Sequence, residues 1–460
     1  MYEGERGPRS VDGACQPEDH APPSPRRLRS RLSRLARERR EGSRESRPPE
    51  GRYKANLAVH TLRPEGGDEC ATTWASIGRP RDAVAGGGGD PRRRRSHRGR
   101  RHHGRRRPWG SPCAPRRQNH RLLGRDGTAG FWNSHVHFTG ADFRAADTAP
   151  AESLAAALRA MLTSYGVVHV VDTGSYLPNT LALRRRIESG EVPGPSILTA
   201  GSGFAPAGGS PYYILPAKIP ELTRPEDAVL VEAELSRGGD IVKLFTGSWA
   251  TPSSIVVMPV DVVRAAVEVG HRRRKLVFAH PSNSPGARAA IEGGVDVLAH
   301  TFPTSLDGSP WDRALPAMMK ERGMALIPTL KLWPYELKRE GLPAELVELV
   351  LGNGVAQTRA FAELRGQLLF GTDVGYMIDY DPTEEFVYLQ RARLAPAQIL
   401  AMLTTAPAAR FGRANRTGRL APGFSADVVV LDGDPALDVR AFAKVRVTIR
   451  DGRIIYGRTS

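Results

Sequence analysis

Cysteine is scarce in this chain: 460 residues contain Cys15, Cys70 and Cys113 and no others. None lies beyond residue 127, so the remainder of the sequence holds no disulfide framework, no thiolate zinc site and no cysteine nucleophile. Long apolar runs are lacking too. No stretch approaches the roughly 18 residues of a membrane span, and the start MYEGERGPRS has no apolar core of the kind a secretory signal needs. The expectation is a soluble, cytoplasmic protein.

Charge imbalance is missing from most of the chain as well. The formal net charge is +17, but residues 1–127 hold 31 of the 66 basic residues against 15 of the 49 acidic ones, so the other 333 residues carry 35 against 34. The high isoelectric point therefore describes the prologue and says nothing about a partner of the main body. That prologue runs through RRLRSRLSRLARERR, GGGG and PRRRRSHRGRRHHGRRRPWG without sustained apolar periodicity, which reads as a disordered basic arm. A second reading is an out-of-frame translation of a GC-rich gene. Arginine codons of the CGN type read one base later encode Val, Ala, Asp or Gly, and residues 96–106 and 118–127 so shifted permit two strands with an Asp-Gly turn. Resequencing the DNA across codons 90 to 128 distinguishes the two.

From Thr128 onward the text changes. GFWNSHVH, VVHVVDTG, SILTAG, DIVKLFTG, KLVFAH, VDVLAH, MALIPTL and QLLFGTDVG alternate with helical stretches such as AESLAAALRAMLTSYG and VDVVRAAVEVGHRRR. Continuously apolar strands, each followed by an amphipathic helix, predict a parallel sheet buried on both faces. Eight such units in about 245 residues match a (β/α)8 TIM-type barrel, assigned to residues 128–411. After Phe411, LAPGFSADVVVLDGDP and KVRVTIRDGRIIYG read as short strands with tight turns, so 412–460 are expected to form part of a small β-sandwich domain. The fold class is α/β.

The C-terminal ends of the strands are where a barrel keeps its chemistry. His135 and His137 alternate with Val136 and face the same side of a strand. His280 ends KLVFAH, His300 ends VDVLAH, Asp373 ends QLLFGTD, and Lys243 lies inside DIVKLF, where an unpaired ammonium is costly to bury. These nitrogen and oxygen donors suit zinc or a similar borderline metal.

Together with the TTAPAARFG helix and the tail GRLAPGFSADVVVLDGDP, these motifs resemble the amidohydrolase superfamily of metal-dependent hydrolases, its imidazolonepropionase-like and Xaa-Pro dipeptidase-like members in particular. The resemblance spans about Thr128 to Tyr456. It implies two divalent metal ions, zinc by expectation: His135, His137 and Asp373 on one, His280 and His300 on the other, with Lys243, carboxylated by carbon dioxide, bridging them. Asp373 and Lys243 are the expected catalytic residues, and a metal-bridging hydroxide the expected nucleophile. One departure from the family pattern is Asn133, where an Asp is usual two residues before the first His; a changed hydrogen-bond pattern with the metals retained is expected.

Tyr212 and Tyr213 after the third strand, Lys331 and Trp333 after the seventh, and Tyr376 and Asp379 after the eighth are candidates to bind substrate. The implied reaction is hydrolysis of a C–N bond in a small molecule such as a dipeptide, an N-acyl amino acid or a cyclic amide. A lactonase or phosphotriesterase on the same metal centre is the alternative, since sequence alone does not fix what the loops select. A nucleic-acid-binding protein gripping phosphate through its arginine arm is the remaining class. The arm has few interleaved aromatics, which disfavours it. No membrane partner is expected, and a homo-oligomer is left open.

Overall fold

The computed structural model describes residues 127–302 and 311–457. The readings of the basic prologue, as a disordered arm, a phosphate grip or an out-of-frame text, concern 1–126 and lie outside the described residues.

All eight apolar runs form parallel strands. β2 (Phe131–Val136), β3 (Val167–Asp172) and β4 (Ser196–Thr199) make one sheet, and β5 (Val242–Phe245), β6 (Val277–His280), β7 (Val297–Ala299), β8 (Ala325–Ile327) and β9 (Gln367–Leu368) make another. The two meet along both edges. At one, Asp240 donates to the Thr199 carbonyl at 2.7 Å and Phe204 to that of Lys243 at 2.9 Å; at the other, Ser134 donates to Phe370 at 2.7 Å and His137 to Val374 at 2.8 Å. The result is a TIM-barrel-type α/β arrangement. Its strands are largely apolar because helices cover them outside: Val260–Arg272, for example, buries Val262, Val263, Ala266 and Val267 on one stripe.

A four-stranded antiparallel sheet lies beyond, in the order β1 (Gly127–Ala129), β10 (Val428–Leu431), β11 (Val445–Arg450), β12 (Arg453–Gly457). The tail strand of ADVVVLD pairs with the first strand, Gly127, Thr128 and Ala129 lying against Val430, Val429 and Val428, so the barrel text read from Thr128 begins within the small sheet. Among the described residues the small domain is one sheet rather than two stacked ones. It is fastened to the barrel by buried polar contacts: His169 Nε2 to Asp427 Oδ2 at 3.0 Å, and the Thr448 hydroxyl to the Thr163 carbonyl at 2.7 Å. Trp132 fills the barrel floor above this joint, stacked against His169 and Phe411 with ring centroids 4.3 and 5.3 Å away.

Candidate metal centre

At the opposite end of the strands, four histidine rings lie in a row. His137, His135, His300 and His280 are neighbours at centroid separations of 5.3, 4.5 and 4.9 Å. Asp373 faces three of them: its Oδ1 lies 2.9 Å from His137 Nε2 and 3.3 Å from His135 Nε2, and its Oδ2 lies 3.8 Å from His300 Nε2. These side chains come from β2 and its end, the ends of β6 and β7, and the turn after β9, so the barrel rather than local sequence brings them together.

The tautomers follow from the outer contacts. His137 Nδ1 lies 2.7 Å from the Gly174 carbonyl, which can only accept, so Nδ1 carries the proton. The Thr329 hydroxyl donates to the Pro328 carbonyl at 2.8 Å, and therefore accepts from His300 Nδ1 at 2.5 Å. Both Nε2 atoms are left as lone pairs turned toward a carboxylate; besides Asp373, the Thr173 hydroxyl is 3.5 Å from that of His137. A lone pair 2.9 Å from a carboxylate oxygen is repulsive unless a cation lies between them. Both nitrogens of His135, Nε2 of His280 and Oδ1 of Asp373 are also buried without a hydrogen bond, which native interiors rarely tolerate. Such a donor set fits a divalent metal, and His135, His300 and Asp373 alone place one ligand atom each within 4.8 Å of one another.

The electrostatics hold three of the four imidazoles neutral, while for His137 the contacts with Asp373 outweigh burial and raise it above its ordinary value. Burial, reinforced by Lys243, pushes His135 down to about 3, and burial and Lys243 do the same to His280. His300 is pushed well below its ordinary value, by burial first and by His135 next. Neutral imidazoles are the form that ligates metal. Burial alone would raise the Asp373 carboxyl, but the imidazoles of His135, His137 and His300 around it hold it well below its ordinary value. Lys243 is 2% exposed, its Nζ is 5.5 Å from the Phe245 ring centroid, and among the described residues its ammonium makes no hydrogen bond or ion pair. Burial pushes it down to about 8.

Backbone strain collects here as well. His300, Thr329 and Asp373 have φ values of 85°, 45° and 64°, in the left-handed region that non-glycine residues rarely adopt. Asn133 explains the departure noted above: its Oδ1 accepts from the backbone of His135 and of Thr372, each at 3.2 Å, and its Nδ2 donates to the Thr372 hydroxyl at 2.7 Å. The amide clasps β2 to the turn that carries Asp373.

The remaining candidates divide. Tyr212, Tyr213 and Tyr376 form an edge-to-face chain with centroids 5.6 and 5.5 Å apart, and Asp373 is close enough to raise Tyr213 and Tyr376 further after burial has done so. Trp333 is half-buried and donates to Thr301 at 3.3 Å. Lys331 is not arranged as a substrate cation. Its three N–H groups meet Asp379 Oδ2 at 2.8 Å and the carbonyls of Asp379 and Asp381 at 3.2 and 2.6 Å, so it and Asp379 hold a loop together. Sequence reasoning passed over Glu336 and Arg339, paired at 2.5 Å beside Tyr376 on the helix Leu332–Arg339; their i,i+3 spacing was the available signal. It also passed over Asp172.

Known proteins are consistent with this geometry. Ochratoxinase of Aspergillus niger is 23% identical over 364 residues, covering 68% of this chain and 71% of its own. Among solved structures, a putative prolidase from Bifidobacterium longum superposes with a TM-score of 0.59 at 26% identity, covering 73% of this chain and 82% of its own. A Xaa-Pro dipeptidase with methionine in its active site superposes at 0.60 and 20% identity, covering 72% and 87%. The amidohydrolase family pattern matches residues 128–455, from the first small-sheet strand to the last. With that extent of match, and a histidine and carboxylate cluster of the kind the family uses for divalent metals, the chain belongs to the amidohydrolase family and is a hydrolase acting on carbon–nitrogen bonds.

Proposed function

We propose that this protein is a zinc-dependent hydrolase of small amides, acting on a dipeptide or N-acyl amino acid at a centre of two metal ions. The observation that carries the reading is the convergence of three histidine Nε2 atoms on the buried Asp373 carboxylate. His135, His137 and Asp373 would hold one ion, His280 and His300 the other, and Lys243 would join them. Ions so held would lower the pKa of water to near neutrality and polarise the scissile carbonyl. Lys243 supplies the missing anion. Its depressed pKa leaves a sizeable fraction as free amine, which adds to carbon dioxide through a new N–C bond with loss of one N–H proton, giving a carbamate.

Asp373 is ionised, buried and at the centre of the cluster, placed to take the proton of the attacking water and return it to the leaving nitrogen. The tyrosine chain 212–213–376 with Trp333 supplies an apolar, hydrogen-bonding wall for a substrate side chain. The names of the relatives, a prolidase, a Xaa-Pro dipeptidase and an ochratoxinase, favour amide substrates over lactones. The same reading takes 128–411 as a closed eight-stranded barrel and 412–460, with the first strand, as the small domain.

Metal content per chain, measured on protein purified without chelator, tests the centre. About two zinc-like ions are expected, falling in Lys243→Ala. Turnover of a dipeptide and an N-acyl amino acid panel, with a lactone and a phosphotriester alongside, tests the bond. Zinc-dependent turnover of only the latter pair would replace the amidase reading with the alternative.

A further inference from the structure

Asp172, at the end of β3, is fully buried and is outside the candidate ligand set. Its carboxylate accepts four hydrogen bonds. Oδ1 takes the Ser175 hydroxyl at 2.6 Å and the Gly174 backbone N–H at 3.3 Å; Oδ2 takes the hydroxyls of Thr199 at 2.7 Å and Thr180 at 3.3 Å. So complete a set of acceptors would suffice for a structural aspartate. What the donors do next gives it a further role.

Ser175 and Gly174 both lead to His137. The Ser175 hydroxyl, while donating to Asp172, accepts the backbone N–H of Phe138 at 2.7 Å, fixing the residue that follows His137. Gly174, whose N–H is held by the same Asp172 oxygen, turns its carbonyl onto His137 Nδ1 at 2.7 Å. A β-carbon at Gly174 would lie 3.3 Å from His137 Cε1, so the turn also packs against the ring. Thr199 ties the assembly to β4, and the Ser175 N–H to the Gly201 carbonyl at 2.8 Å. His137 needs such support: it lies just past the end of β2 and is more exposed than His135, with 16% of its side chain accessible against 1%.

We infer that Asp172, acting through Ser175 and the Gly174 carbonyl, is a positioning residue that sets the tautomer and orientation of His137 for metal binding. The inference rests on the metal reading above. Its mechanism is geometric: the carboxylate holds a turn, the turn holds the imidazole proton on Nδ1, and Nε2 is thereby aimed at the Asp373 side. Outer contacts of this kind are worth about 10- to 100-fold in metal affinity.

The test is zinc affinity by chelator competition, with cobalt(II) visible absorption reporting the ligand field, on the full chain and four variants. Ser175→Ala and Asp172→Ala are expected to weaken one of two zinc ions by about tenfold or more and to shift the cobalt bands. Asp172→Asn is expected to stay within about threefold, because its amide oxygen still accepts from Gly174 and Ser175 while the threonine hydroxyls turn to accept from its NH2. Thr448→Ala, which removes an equally buried hydrogen bond in the small sheet, serves as the control and should leave both ions in place. Zinc binding unchanged in folded Ser175→Ala would overturn the inference, even where Asp172→Ala fails to fold. An equal loss in Thr448→Ala would also overturn it, by showing that affinity merely follows stability, and a tenfold loss in Asp172→Asn would assign the effect to charge instead. Absence of stoichiometric zinc from the unmodified protein would instead remove the metal reading itself.

Discussion

A single amide at residue 133 carries three hydrogen bonds, two of them across the seam between the first and last barrel strands. Asn133→Ala would leave the N–H of His135 buried and unpaired and that of Thr372 with only its 3.4 Å contact to the His135 carbonyl, and a loss of about 2 kcal/mol in unfolding free energy is expected from urea denaturation. Asn133→Asp is expected to keep full metal content, since the Thr372 hydroxyl can reverse and donate to the new carboxylate; chelator-free metal analysis checks it. At this scale much of the site was legible. His280, His300 and Asp373 each end an otherwise apolar strand, so their polarity stands out against the text. Asp172 also ends a strand but reads as the ordinary close of VVHVVDTG, because its partners Ser175, Thr180 and Thr199 are generic hydroxyls. Lys331 misled for the opposite reason: a lysine in apolar surroundings looks unpaired when its carboxylate, Asp379, lies 48 residues away in the chain.

Among the elements, the loop closed by Lys331 and the helix Thr383–Arg391 meet at Glu385. This carboxylate is buried and accepts the Lys331 backbone N–H at 2.8 Å, and burial raises its pKa from 4.5 to about 7, against the hydrogen bonds from Lys331 and Leu330. Between about pH 4.5 and 7 the folded chain holds a proton that the unfolded chain has released. The stability this contributes is fully present below about pH 4.5 and is lost as pH rises through 7, with a slope of at most about 1.4 kcal/mol per pH unit. His135, His280 and His300, held neutral in the folded chain, contribute a rise in stability over the lower part of this range, so the contribution of Glu385 is read as a difference. Between about pH 5 and 7 the urea midpoint of Glu385→Gln should rise more steeply with pH than that of the unmodified protein, and an identical pH dependence in the variant would place the titration elsewhere. The strands themselves were legible as eight apolar runs, whereas the Glu385 contact depends on how loop and helix pack, which no local period encodes.

For the whole molecule, the small sheet bears on which residues the barrel needs. Removing residues 1–126 is expected to leave metal content and hydrolysis unchanged, while also removing Gly127–Ala129 strips β10 of a partner and opens a sheet edge. The melting temperature should then drop by several degrees, with aggregation on heating; calorimetry of the two truncations separates the outcomes. The strand Gly127–Ala129 was hard to see because three residues carry no period, and its partner lies about 300 positions downstream.

The left-handed backbones of His300, Thr329 and Asp373 bear on how the protein can be improved. Each costs of order 1–2 kcal/mol relative to glycine at the same φ, so a screen for heat resistance alone would favour glycine at all three positions. At Thr329 that exchange removes the acceptor for His300 Nδ1, and at the other two it removes ligand candidates outright. Selection for robustness and selection for turnover pull in opposite directions at these strand ends, and a stabilised variant worth keeping must draw its gains from the helices and the small sheet.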